Sequence, residues 1–248
     1  MRSFFNLRMQ YAAIFLVAVA LRADVTLCPN LAGQNGSGTY SITAVAGPLD
    51  SLCGTNSAET MYIPNATADY ARLAWDSGDP DYPAGLTLGS LGGVSANVSF
   101  SGDDDPFYML AFTDATDGLG QTYASDQILM IEFQPSTLSG STMTLDPGAT
   151  LFNLYDNTQG FYLSGGQSDT NTLAGWLLAD PFLSGDSLDQ VRIGIGLAGG
   201  DTNPQSVTVY SADLTTVTPE PGTLPLLSVV FGAAAWGIRR SQLRSRRS

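Results

Sequence analysis

Few residues in this chain can carry chemistry, and the missing types narrow its scope first. Among its 248 residues there is no histidine. Ser-His-Asp and Cys-His nucleophilic catalysis and histidine-ligated metals are therefore outside its reach. All ten basic residues are arginine, so a Schiff-base lysine and a phosphate-binding Walker lysine are excluded as well. Acid–base work is left to Asp, Glu and Tyr. A pair of carboxylates could hydrolyse a glycoside. The candidates are Glu59 and Glu132, the only glutamates between residues 24 and 216. Glu132 lies in Ile131-Glu132-Phe133 on an expected strand. Pointing inward, a lone carboxylate there is costly and a candidate acid; pointing outward, it is simply solvated. Nothing in the sequence places a second carboxylate opposite it.

Hard cations and sugars are the other ligands these residue types suit. Asp103-Asp104-Asp105 precedes Pro106, and Asp76, Asp79 and Asp81 sit in a second acidic loop. Calcium favours several oxygens from such loops, although neither has EF-hand spacing. Aspartate is also an ordinary turn residue. For a sugar, Trp75 before the acidic loop and Tyr82 after it would form an aromatic platform beside hydrogen-bonding aspartates. Tyr70, Phe107, Tyr108 and Trp176 are further aromatics, and core packing is the plainer use for all of them. Cys28 and Cys53 are the only cysteines. In an exported chain they could form a disulfide closing a short loop, contributing on the order of 3 kcal/mol.

The elements that must hold these groups are strands. In Val191-Arg192-Ile193-Gly194-Ile195-Gly196-Leu197 the apolar residues share one face, with Arg192, Gly194 and Gly196 on the other. The glycines leave that face bare, so another strand or a ligand can approach closely. Val207–Leu214 follows across a Gly/Asp/Asn/Pro stretch and reads as its antiparallel hairpin partner. Further candidate strands are Thr39–Thr43, Leu86–Leu88, Val94–Phe100, Phe107–Phe112, Gln127–Phe133, Thr150–Tyr155, Gly160–Leu163 and Leu173–Leu178. Ala66–Trp75 is the only mild helical candidate. Short strands with frequent turns and no fixed repeat predict an all-β domain over residues 24–216, a β-sandwich of the jelly-roll kind.

Both ends look like addresses. Arg2 and Arg8 precede an apolar run, Tyr11–Val19, and Ala18-Val19-Ala20 is an A-x-A cleavage site. Residues 1–23 thus read as a secretory signal peptide, cut after Ala20 or Ala23. At the other end, Pro219-Glu220-Pro221 lies in a linker, 217–223. The segment 224–248 holds an apolar run to Ile238 and the arginines Arg239, Arg240, Arg244, Arg246 and Arg247. Fifteen apolar residues span roughly 22 Å as a helix, against a bilayer core of about 30 Å. The arginines favour a cytoplasmic C-terminus.

This tripartite ending resembles the PEP-CTERM sorting signal of Gram-negative bacteria. The matching residues are Pro219, Glu220, Pro221, the short apolar helix and the arginines from Arg239 onward. Ser241-Gln242-Leu243 interrupts an arginine block that is compact in the family. The resemblance implies recognition near Pro-Glu-Pro by an exosortase, a transient inner-membrane anchor and transfer to the cell surface. It also implies association with exopolysaccharide or biofilm matrix. The translocon, a signal peptidase and the exosortase are then the expected processing partners.

Charge separates cargo from address. Only Arg72 and Arg192 lie between residues 24 and 216, against 22 acidic residues, a formal charge of −20. Such a domain repels nucleic acid and anionic lipid. The expected protein is an exported, non-catalytic surface or matrix component, without a cofactor unless calcium is structural. A carbohydrate-binding module is the alternative, and a carboxylate-based glycan hydrolase the second.

Overall fold

The computed structural model describes residues 21–29, 32–45, 58–102, 105–113, 127–133, 138–157, 160–163, 169–196 and 202–218. Residues 1–20, the Pro-Glu-Pro motif, the apolar run and the arginine tail lie outside them, as do Cys53, Asp103 and Asp104. One compact unit spans Arg22–Thr218.

Among the described residues the compact unit is built of strands, numbered in chain order. The first are β1 (Leu21–Leu27), β2 (Gly33–Ser37), β3 (Ser41–Val45), β4 (Ala58–Ile63) and β5 (Tyr70–Asp76). Next come β6 (Leu91–Ser101), β7 (Phe107–Thr113), β8 (Gln127–Glu132), β9 (Leu138–Ser139) and β10 (Thr142–Leu145). Then follow β11 (Leu151–Asp156), β12 (Phe161–Tyr162), β13 (Asn171–Thr172), β14 (Ser187–Gly196) and β15 (Gln205–Thr218). One helix, α1 (Leu173–Ala179), lies between β13 and β14. No described helix is long and apolar enough to cross a membrane.

The strands form two antiparallel sheets. The first runs β3-β4-β15-β6-β10-β9, with β1 also paired to β15. The second runs β12-β11-β8-β7-β14-β5-β2, with β13 also on β11. A sandwich-like core joins their inner faces. Met61, Val98, Val207 and Val209 come from the first sheet; Leu73, Leu110, Ile193 and Phe152 come from the second. Tyr108 of β7 crosses this interior, its hydroxyl donating to the Met143 carbonyl of β10 at 3.0 Å. Burial and the Glu132 charge push that hydroxyl's pKa far up, so it stays a donor.

The two sheets treat their outer faces differently. In β6, Val94, Ala96 and Val98 are buried while Asn97 and Ser99 are exposed. This is the half-solvated alternation read from the sequence. In β7 every residue from Phe107 to Phe112 is buried. Phe107, Met109 and Ala111 face away from the core, so the second sheet carries apolar side chains on both faces.

Several sequence expectations are corrected. Val191–Leu197 and Val207–Leu214 are not a hairpin: β14 lies between β7 and β5, and β15 lies between β4 and β6. Period-two patterning tells which face is buried but not which strand is the partner. Gln205 ties the crossover, accepting from the Gly196 amide at 3.1 Å. Leu173–Ala179 is helical, not extended. The Thr172 hydroxyl caps it by accepting from the Gly175 amide at 2.9 Å, and so short an apolar run lacks a period that tells strand from helix. Leu86–Leu88 holds only an isolated bridge at Thr87 before a 3-10 turn. Ala66–Trp75, the mild helical candidate, is a turn leading into β5. β15 continues through Val217 and Thr218, two residues into the expected linker.

Candidate functional site

The outer face of the second sheet gathers the chemistry that the sequence left scattered. Cross-strand register places side chains in rows across it. One row runs Asn35, Arg72, Gly194, Phe107; the next runs Gly33, Ala74, Arg192, Met109, Ile131, Asn153. The third sets Gln190 between Asp76 and Ala111, then Leu129, Tyr155 and Tyr162. The centre is recessed: Ala74, Met109, Ala111, Leu129 and Asn153 are buried, and Arg192 is only 2 % exposed. Tyr70, Arg72, Asp76, Gln190, Ile131, Tyr155 and Tyr162 stay half-exposed around it.

A polar relay crosses this floor. Arg192 Nε donates to Gln190 Oε1 at 2.7 Å, and Gln190 Nε2 donates to Asp76 Oδ2 at 3.2 Å. A register shift in β14 between Leu188 and Gln190 adds one residue, Asp189. The bulge re-aims that carboxylate toward β7, where Thr113 Oγ1 donates to its Oδ2 at 2.7 Å. The bare glycines have a local cause. A Cβ on Gly194 would meet the rings of Phe107 and Tyr70 at 3.1–3.3 Å, so Gly194 lets two aromatic rings lie close over the sheet. The Tyr70 hydroxyl points at the Met109 sulfur, 4.0 Å away. Tyr155 and Tyr162 pack edge to face, with ring centroids 5.2 Å apart and planes at 66°.

Electrostatics single out the arginines. Burial and the neighbouring Arg72 charge hold the Arg192 guanidinium down at about 10. Burial pushes the Tyr70 hydroxyl up, partly offset by Arg72 and Arg192. Tyr162 is raised too, by burial and then by Tyr155.

The residues singled out from the sequence fall elsewhere. Trp75 is fully buried, its indole donating to the Cys28 carbonyl at 3.2 Å. Tyr82 is 8 % exposed, its hydroxyl donating to the Leu188 carbonyl at 2.7 Å. Both belong to the core, so they form no exposed sugar platform; the odd-numbered face of β5 points inward. Asp76, Asp79 and Asp81 do not make a calcium cage. The Asp76 amide donates to Asp79 Oδ2 at 2.8 Å, and Gly78 donates to Asp76 Oδ1 at 2.7 Å. The Asp76 and Asp79 carboxylates shape the turn, and no described group of three or more acidic side chains could hold a metal. Asp105 belongs to no such group either.

The two glutamates do not converge. Glu132, 6 % exposed, accepts the Tyr108 amide at 2.9 Å where the β7–β8 ladder ends. Its carboxylate is therefore not solvated. Glu59, 3 % exposed, accepts from Gln34 of β2 at 2.9 Å, tying the two sheets at one edge. Burial raises its pKa, and the Gln34 bond lowers it by less. Cys28 is buried, and no described cysteine is free.

Tyr155, Tyr162, Gln190 and Asp189 escaped the sequence reading. One signal was present: Phe107–Phe112 and Gln127–Phe133 lack the clean alternation of Val94–Phe100, which marks a sheet buried on both faces.

Solved structures similar to this chain include a family 11 carbohydrate-binding module of the cellulosomal cellulase Lic26A-Cel5E of Clostridium thermocellum. It is 13 % identical, with a TM-score of 0.42, covering 77 % of this chain and 94 % of that one. The low-affinity xylan-binding module CBM86 of Roseburia intestinalis is 12 % identical, with a TM-score of 0.35 and coverage of 78 % and 96 %. The xyloglucanase domain of NopAA from Sinorhizobium fredii is 10 % identical, with a TM-score of 0.34 and coverage of 77 % and 98 %. At such identities and scores the likeness decides no ligand. No protein-family model and no curated protein matches this sequence.

Proposed function

We propose that this protein is a non-catalytic glycan-binding sandwich of jelly-roll type, exported and sorted to the cell surface or matrix. One observation carries the binding half. The outer face of the second sheet joins a recessed floor to half-exposed tyrosines and an Arg192–Gln190–Asp76 relay. Sugars need this combination, because a pyranose has apolar faces for aromatic rings and a belt of hydroxyls for planar polar groups. The outer face of the first sheet also carries tyrosines, Tyr62 and Tyr210, among exposed Asn97, Ser99, Thr142 and Thr144, but the Arg192–Gln190–Asp76 relay lies on the second sheet. The two glutamates lie in different sheets, on β4 and β8, which supports binding rather than hydrolysis.

Tyr155 tests the assignment, since it stands at the edge of the floor and no core residue depends on it. In affinity electrophoresis of the full chain in mild detergent, migration is retarded by at least one glycan of a neutral and acidic panel. Tyr155→Ala weakens that retardation on the order of ten-fold. Retention by no glycan would sink the binding half.

Sorting rests on the terminal segments and their PEP-CTERM resemblance. Surface material then yields an intact mass lacking both the signal peptide and the residues after Pro-Glu-Pro. The same mass is about 2 Da below the dithiol form if Cys28 and Cys53 are bridged. A full-length mass would reject processing.

A further inference from the structure

We propose that the saccharide bound on this face carries a carboxylate, read by Arg72 and Arg192. This rests on the glycan-binding reading and narrows it to acidic polysaccharide.

Placement is the first argument. The compact domain has two cations between residues 24 and 216 and 22 acidic residues. Scattered at random, two arginines in such a background would find carboxylate partners. Instead they sit together. Arg72 pairs across the ladder with Gly194, and Arg192 lies two residues along the same face, opposite Ala74. They are diagonal neighbours of like charge, an arrangement that costs stability unless something offsets it. Neither makes an ion pair among the described residues. Asp189, whose charge acts on Arg192, gives its Oδ2 to Thr113 instead. Asp76 is reached only through Gln190.

Unmet hydrogen bonding is the second argument. Arg192 Nη1 and Arg72 Nε are both buried without a partner. A buried charged donor left unpaired is costly, and a bound anion removes that cost. Gln190 fixes the Arg192 plane through Nε, while Nη1 keeps its donor capacity unused. A planar guanidinium matches a carboxylate through parallel N–H···O bonds, which an ammonium cannot reproduce. The lowered Arg192 pKa has the same origin: burial first and then the Arg72 charge, which Tyr70 and Asp189 offset only in part.

The test compares each of several acidic polysaccharides (polygalacturonate, alginate, hyaluronate) with its own carboxyl-reduced form, using the full chain in mild detergent. The expected result is that at least one acidic form binds about 10- to 100-fold tighter than its reduced form. Arg192→Gln removes that preference, so the acidic and the reduced form bind this variant equally. Arg192→Lys restores it only in part. Thermal unfolding of each variant guards against misfolding, and Arg72→Gln, at the more exposed position, provides a second variant. Equal binding of acidic and reduced forms in every pair overturns the inference while glycan binding stands. So does a preference that survives both glutamine variants. Full rescue by lysine, or equal preference for sulfated glycans, replaces carboxylate reading with plain charge and also overturns it. Binding of no form by the unaltered protein removes the glycan-binding reading itself.

Discussion

Gly196→Ala is expected to destabilise the domain by about 3 kcal/mol or more, measured by chemical unfolding. Gly196 ends β14 at φ 93°, a conformation that costs an L side chain on the order of 1–2 kcal/mol. Space adds to this. A Cβ there would collide with the Asp69 carbonyl oxygen and come within 2.8 Å of Ile63 Cδ1. The oxygen is backbone and Ile63 is core, so neither can yield cheaply; such overpacking costs about 1–3 kcal/mol. Gly85 is the control. Its φ is 71°, but a Cβ there meets nothing within 4 Å, so Gly85→Ala carries only the backbone cost. Equal losses at the two positions would refute the steric part.

Trp75→Ala is expected to cost about 3–5 kcal/mol. The indole is fully buried between the sheets, and its removal also strands the Cys28 carbonyl that Nε1 satisfies. Trp75→Phe keeps much of the volume and loses less. The folded fraction of either variant keeps its glycan binding, because the ring faces away from the tyrosine-lined floor. A stable Trp75→Ala protein with abolished binding would place the ring on the ligand side and contradict the core assignment.

These two residues show what a one-dimensional reading can and cannot see. Trp75 and Tyr82 flank an acidic loop in sequence, which suggested a surface platform. In space both turn inward, because Trp75 has the same parity as Ala71 and Leu73 on β5. Parity was available from the sequence, but which parity meets the other sheet was not. Gly194 and Gly196 were recognisable as a bare face. Their neighbours, the rings of Phe107 and Tyr70 for one and the Asp69 carbonyl for the other, come from strands or loops far away in sequence.

Glu132 shows the same limit. Its strand was evident, yet the sequence left open whether its carboxylate pointed inward or was solvated. The end of the β7–β8 ladder settles this, where the Tyr108 amide takes the side chain as its acceptor. The aspartates of the 76–81 loop were equally ambiguous between metal and turn. Asp76 and Asp79 accept from the Gly78 and Asp76 amides, which is the work of turn builders.

Composition and periodicity were enough to establish an all-β chain with strong negative charge, two interior arginines and no histidine or lysine chemistry. These are local or additive properties, carried by each residue whatever its neighbours. Which strands pair, and which side chains share a face, depend on contacts between segments distant along the chain, where period two permits many partners. Arg72 and Arg192, 120 positions apart, become diagonal neighbours only because β5 and β14 lie side by side. Tyr155 and Tyr162 meet edge to face across the local β11–β12 pairing, on the same sheet but with β7 and β8 between them and β14. The candidate binding face is thus a product of strand order rather than of any motif.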